Sequence, residues 1–365
     1  MQRSAGQYLF ESIQNELRLP EIDADACVYS QFDQSTCQAC VESCPTQAWV
    51  LGEESLGLNT DACDGCGLCI PSCPTGALSV QFPWIIRQTG GHSIALFACE
   101  LSPGKIKTDV LPCIHVLGLR QLLLMYNHGI RYLLITTADC SSCKRQPSID
   151  INRRLEQLNE LLAERAKPVM KVMQRSHQLW QTLFKTDEII SPGIKFSRRH
   201  FLRGSVQKGQ RQSLVQDPLN LAENQTLPPG QLLPAALTVI KKTELHWPWS
   251  VQLDNNKCNG CDACINLCPN EALLFVSGNK EGLVEYRLNP VNCNGCGICQ
   301  DACETNAISI NQFSKSPEKA ISLTEKTCHS CGNSFHLPSN QIQSEKPLCR
   351  ICQIHDHSNN LFQVL

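Results

Sequence analysis

Apolar positions along this chain come in short runs whose period changes from region to region. In Met1–Pro20, Leu9, Phe10, Ile13 and Leu17 share one helical face with Glu11, Glu16 and Arg18 between them, the pattern of an amphipathic helix. The middle of the chain alternates between two kinds of run. Ser93–Cys99 (SIALFAC), Asp109–Cys113, Tyr132–Thr137 (YLLITT) and Val169–Met173 have strand length. Val116–Asn127 (VLGLRQLLLMYN) has helical spacing and stops at Gly129, while Asn152–Ala166 repeats Leu155, Leu158, Leu161 and Leu162 with Arg and Glu between. Strands alternating with helices predict an α/β parallel-sheet domain over 90–175. No run reaches the roughly 18 apolar residues of a spanning helix, so no transmembrane segment is expected.

Composition changes this picture in one respect. The chain has 365 residues, enough for two or three domains, and 24 are cysteine, against 18% charged residues and a net charge of -2. Such cysteine use means a secreted disulfide scaffold or a metalloprotein. The N-terminus lacks the apolar stretch of a secretion signal, which predicts a soluble, cytoplasmic protein with reduced thiols. Near-neutral charge leaves no nucleic-acid footprint. The region 90–175 has no dinucleotide fingerprint and no P-loop, and Gly295-x-Gly297 lies inside a cysteine loop.

The cysteines are ordered. Cys258-x2-Cys261-x2-Cys264-x3-Cys268-Pro269 is followed by Cys293-x2-Cys296-x2-Cys299-x3-Cys303. A cubane iron–sulfur cluster needs four thiolates at tetrahedral corners. Three closely spaced cysteines wrap one face, and in two-cluster ferredoxins the fourth comes from the other run. The expected sets are Cys258, Cys261, Cys264 with Cys303, and Cys293, Cys296, Cys299 with Cys268. Gly260, Gly295 and Gly297 suit backbone passing close to a cluster. Glu304 stands where a second proline is expected. Zinc knuckles or disulfides are the alternative.

A second such unit lies near the N-terminus. Cys63-x2-Cys66-x2-Cys69-x3-Cys73-Pro74 is complete, whereas Cys37-x2-Cys40-x3-Cys44-Pro45 lacks its first member, with Gln34 in its place. Cys44 is expected with Cys63, Cys66 and Cys69, and Cys73 with Cys37 and Cys40. The spare thiol Cys27, ten residues before Cys37, either reaches in across a longer loop or is a buried free thiol beside an incomplete cluster. Over Cys27–Val80 and Val251–Ile310 the chain resembles bacterial two-cluster ferredoxins. Four 4Fe-4S clusters are expected.

In the middle, Cys99 and Cys113 end expected strands, and Cys140-x2-Cys143 follows Tyr132–Thr137. Ligands in open α/β sheets gather at the carboxyl ends of strands. These four thiols therefore converge on one site, holding a 2Fe-2S cluster or zinc, unless they are ordinary core thiols. A strand ending in Cys, PCIHVLG leading a helix, and a strand running into ADCSSC resemble the delta subunit of methyl-viologen-reducing hydrogenases. That resemblance implies an iron–sulfur relay between an electron-input enzyme and a heterodisulfide-reductase-type partner, and favours iron in the middle site.

The stretch 176–245 reads as a basic and Pro-containing linker. Lys195, Arg198, Arg199, Arg203, Lys208 and Arg211 have no acidic residue among them between Ile189 and Gln216. This is a solvated linker or a docking patch for an acidic partner or anionic lipid. Ser197-Arg198-Arg199-His200-Phe201-Leu202 resembles the twin-arginine motif that opens accessory ferredoxins of the periplasmic nitrate reductase system, but it stands in mid-chain. Cys328-x2-Cys331-Gly332 and Cys349-x2-Cys352 predict a zinc ribbon over 324–355, with His355 and His357 as alternates and a rubredoxin-like iron site as competitor.

The expected fold is therefore α+β ferredoxin-like dicluster domains at 1–84 and 246–315 flanking the α/β domain, with a small C-terminal zinc ribbon. The expected function is an iron–sulfur electron-transfer protein or subunit. Its redox partners would be subunits of a cytoplasmic hydrogenase, formate dehydrogenase or heterodisulfide-reductase-like system. The alternative is an assembly or maturation factor for a metal-containing redox enzyme. No catalytic constellation of its own is legible: His92, His115 and His128 are scattered.

Overall fold

The computed structural model describes residues 18–53, 55–80, 85–89, 92–103, 110–145, 147, 149–176, 178–180, 226–236, 245–277, 284–315, 320–341 and 345–354. The amphipathic pattern before Arg18, the basic run 189–216 and both alternate ligands His355 and His357 lie outside these residues. The chain forms two compact units. One comprises 1–30, 38–227 and 232–235; the other comprises 31–37, 228–231 and 236–365.

The first unit opens with two cysteine-loop halves. Strand β1 (Glu21–Ile22) leads to helix α1 (Val28–Gln31) and helix α2 (Ala39–Glu42); hairpin β2 (Trp49–Leu51) and β3 (Leu56–Leu58) leads to helix α3 (Cys69–Ser72) and β4 (Leu78–Ser79). β1 pairs with β4 and β2 with β3, both antiparallel. A mixed sheet follows: β5 (Ile85–Thr89), β6 (His92–Cys99), β7 (Val110–Leu111), β8 (Ile130–Thr136) and β9 (Lys171–Gln174). Its order is β5-β6-β8-β9, with β7 beside β6. β6, β7, β8 and β9 run parallel, and β5 is an antiparallel edge. The parallel sheet expected from alternating strands and helices is thus present. It begins at Ile85, five residues ahead of the expected border, because the β5–β6 pairing is a hairpin.

Helix α4 (Leu119–Asn127) starts later than the apolar run suggests, after a 3-10 turn at Ile114–Val116. Gly118 is the reason: it is extended (ψ 174) and lies against α3, where an added Cβ would stand 2.7 Å from Pro71 Cβ. Helix α5 (Ile151–Glu164) is capped by Asp150, which accepts the Arg153 amide at 2.8 Å. Its apolar stripe, Leu155, Leu158, Leu161 and Leu162, is buried, each leucine contributing about 1.5–3 kcal/mol. One core joins this α/β layer to the cysteine loops, since Cys66 and Leu68 are buried with Leu117, Leu122, Phe97 and Leu133.

The second unit has a long two-stranded ribbon, β10 (His246–Leu253) with β13 (Ile308–Lys315). Between them lie helices α6 (Ala263–Asn266) and α7 (Ile298–Asp301) and strands β11 (Leu273–Val276) and β12 (Val284–Leu288). The C-terminal hairpin, β14 (Ile321–Thr327) and β15 (Ser334–Pro338), joins this unit rather than standing apart. β14 pairs with β12, making one sheet of order β11-β12-β14-β15.

Candidate metal centres

Four segments repeat one local structure. Each starts at an Asp or Asn at the end of a strand, four residues before a cysteine: Asn59 before Cys63, Asp254 before Cys258, Asn289 before Cys293, and Asp23 before Cys27. The amide of that residue donates to an alanine carbonyl of the paired half: Asn59 to Ala48 at 2.8 Å, Asp254 to Ala307 at 2.8 Å, Asn289 to Ala272 at 2.7 Å, Asp23 to Ala77 at 2.8 Å. In three of the four the side chain also caps the turn, as where Asp23 Oδ1 accepts the amides of Asp25 and Ala26 and Asn59 Oδ1 those of Asp61 and Ala62.

Each segment ends on a second repeated turn. After Cys44, Cys73, Cys268 and Cys303, the third residue has positive φ (Gln47, Gly76, Glu271, Asn306) and the fourth is a buried alanine (Ala48, Ala77, Ala272, Ala307). The amides of Ala48, Ala272 and Ala307 donate to the sulfur of Cys44, Cys268 and Cys303 at 3.3, 3.2 and 3.2 Å. An amide aimed at sulfur stabilises negative charge there, which suits a thiolate ligand. Glu304, in place of the expected proline, pairs with Arg350 of the C-terminal helix α8 (Arg350–Ile354) at 3.2 Å.

The thiols converge in sets. Cys258 and Cys264 interact electrostatically with Cys303, and Cys293, Cys296 and Cys299 with Cys268. In the first unit Cys63 faces Cys44, and Cys69 faces Cys66, Cys40 and Cys44. Cys40, Cys44 and Cys73 pack against a buried group containing Cys27 and Cys69, and Cys37 is half-buried in the segment 31–37. Among the described residues no disulfide joins any of the cysteines. Burial pushes the thiols of Cys66, Cys264 and Cys293 up to about 12, neighbouring thiols adding to this at Cys264 and Cys293. Several buried thiolates together need a cation, and the donor set fits iron–sulfur clusters.

Residues 257–307 match the 4Fe-4S dicluster domain family, and residues 34–82 match the LdpA Fe-S cluster-binding domain family. The chain is an iron–sulfur protein. The second match begins after Cys27, and neither extends over the α/β sheet or the C-terminal thiols of this iron–sulfur protein. No curated protein matches the chain significantly.

At the carboxyl edge of the sheet, Cys113 interacts with Cys99 and Cys143, and Cys140 with Cys99 and Cys143. Burial pushes the Cys113 thiol up to about 11, and Cys140 is exposed. Arg145 sits beside this group. Its guanidinium bonds Asp64 Oδ2 at 2.7 Å, Glu100 Oε1 at 2.9 Å and the Pro112 carbonyl at 2.7 Å, while its amide donates to Cys143 sulfur at 3.4 Å. Burial works against the Asp64 charge, but Arg145 and the Cys66 amide outweigh it and hold the carboxyl below its ordinary value. His115 takes the Ile151 amide on Nδ1 at 3.0 Å, and burial lowers its pKa.

The last four thiols, Cys328, Cys331, Cys349 and Cys352, all lie within 4.8 Å of one another. Amides of Cys331 and Cys349 lower the Cys328 thiol to about 6, the Cys349 amide lying at 3.3 Å. The β14–β15 hairpin, which carries Cys328 and Cys331 between its strands, is tied to the first cluster loop of its unit. His336 Nε2 lies 3.0 Å from Asp262 Oδ1 and 2.9 Å from the Tyr286 hydroxyl, which donates to Asp262 at 2.6 Å. Gln341 donates to the Cys258 carbonyl at 2.6 Å. Sequence reading did not find these ties or the Arg145 network. The repeated Cys-x-x-x-Ala and Asp/Asn-x-x-x-Cys spacings were visible signals for the turns.

Proposed function

We propose that this protein is an electron carrier that relays single electrons between redox proteins through four 4Fe-4S clusters. The observation that carries the reading is the fourfold repeat of positive-φ turn and buried alanine, with an amide aimed at sulfur in three of the four, in two pairs of halves that exchange amide–carbonyl hydrogen bonds. The ligand sets are Cys258, Cys261, Cys264, Cys303; Cys293, Cys296, Cys299, Cys268; Cys63, Cys66, Cys69, Cys44; and Cys27, Cys37, Cys40, Cys73. Cys27 is included because Asp23 supports it as Asn59, Asp254 and Asn289 support their cysteines.

Cys99, Cys113, Cys140 and Cys143 hold a 2Fe-2S cluster in this reading, which the likeness to hydrogenase delta subunits favours, and Cys328, Cys331, Cys349 and Cys352 hold zinc in a ribbon. Each cluster would supply a one-electron store whose potential depends on charge, burial and hydrogen bonds to sulfur. The chain's own part is to bury the thiolates, aim amides at them and exclude water. Among the described residues no helix is long and apolar enough to cross a membrane. The partners are subunits of a hydrogenase, formate dehydrogenase or heterodisulfide-reductase-like system in the reducing cytoplasm.

The competing role is assembly of such an enzyme. Mixing the reduced protein anaerobically with purified candidate acceptors separates the two. A carrier passes on its electrons in proportion to its clusters and is then reduced again. A protein that binds apo-enzyme without transferring electrons contradicts the carrier reading.

A further inference from the structure

Arg145 is attached to residues adjoining candidate ligands of two different sites in the first unit. Asp64, which takes its Nε at 2.7 Å, lies between Cys63 and Cys66, and its other oxygen accepts the Cys66 amide at 3.1 Å. Glu100 follows Cys99, and Pro112, whose carbonyl takes Nη1 at 2.7 Å, precedes Cys113. The Arg145 amide itself reaches Cys143 sulfur at 3.4 Å. Its guanidinium charge bears on both the Cys66 and the Cys113 thiols. The side chain is only 13% exposed, so water screens that charge weakly.

A cation held at such a place acts on electrons as well as on packing. Adding an electron makes a thiolate-bound centre more negative, and a nearby fixed positive charge favours that state. Arg18 binds the other oxygen of Glu100 at 2.6 Å, so two guanidiniums and two carboxylates form one neutral network. Removing Arg145 leaves it net negative, between two sites that are negative already.

We propose that Arg145 is a positioning residue that couples the two neighbouring thiol sites of the first unit. One shared positive charge raises the potential of the centre on Cys63, Cys66, Cys69 and Cys44, and links it to the site on Cys99, Cys113, Cys140 and Cys143. This rests on the electron-carrier reading. It makes the α/β sheet an electrical neighbour of the adjoining cysteine loops, whichever metal its own four thiols hold.

The test is a redox titration of the whole protein followed by electron paramagnetic resonance, with the relevant signal identified by its loss in Cys63→Ser. In Arg145→Gln the reduced-to-oxidised ratio of that centre at fixed potential falls about tenfold, about 59 mV for one electron. Arg145→Lys keeps the charge without the fork and retains most of the ratio. Signals from the Cys258–Cys303 clusters do not move in either variant. A ratio unchanged in Arg145→Gln, or lowered equally by Lys and Gln, overturns the inference. If Arg145→Gln does not fold, Glu100→Gln serves: removing an anion raises the ratio, and an unmoved ratio overturns the proposal. A wild-type chain without iron overturns the carrier reading as well, whereas iron with an unmoved potential overturns this inference alone.

Discussion

Asp23 makes the clearest case at the scale of single residues. The first cysteine of each complete run sits four residues after an Asp or Asn whose amide is pinned to the partner half, and Cys27 shares that place. The spacing to Cys37 is wrong for a ferredoxin run, yet the turn that presents the thiol is right. Cys27→Ser should therefore remove or convert one cluster, lowering iron by about one to four atoms per chain. It should leave the signals of the second unit intact; unchanged iron content and an unchanged paramagnetic spectrum would make Cys27 a bystander. Gly260 gives a second residue-level prediction. Its φ is +68, and an added Cβ would run into the His336 carbonyl. Gly260→Ala should destabilise the second unit by about 1–2 kcal/mol from the left-handed backbone alone, more with the clash. Urea unfolding checks this, and a midpoint equal to wild type counts against the close approach.

At the scale of elements, the strands and helices of the α/β layer were legible because each carries its own period. The buried stripe of α5 lies where the leucines predicted it. What was illegible depends on groups far apart in the chain. β14 pairs with β12 through backbone, which leaves no mark on side-chain pattern. Arg145 meets Asp64 across 81 residues, and nothing near either one announces the other. The delayed start of α4 reflects contact between Gly118 and Pro71 rather than local propensity. The C-terminal hairpin carries its own prediction. Cys328 and Cys331 between its strands, with Cys349 and Cys352 beyond it, substitute for a core, and His336 on its outer strand and Gln341 just after that strand hold the cluster loop. Cys349→Ser should release the bound metal, expose the chain from Thr324 onward to protease, and alter the signal of the Cys258 centre. A tail as resistant as wild type, with its metal retained, contradicts that role.

For the molecule as a whole, sequence order puts the α/β layer between two cysteine-rich stretches, whereas folding groups it with the first in one compact unit. Its core is continuous with the Cys66 loop, so the α/β layer and the adjoining cysteine loop fold together. The repeated turns of the two units account for 16 of the 24 cysteines, and two further groups of four account for the rest. The family matches establish iron–sulfur binding; the number of centres is the claim on which the carrier reading stands. Iron, sulfide and zinc analysis after anaerobic purification and full reconstitution tests it most directly. The account predicts about 16 iron and 16 sulfide for the cubanes, about two more of each for the middle site, and about one zinc. Fewer than about eight iron atoms per chain would contradict it.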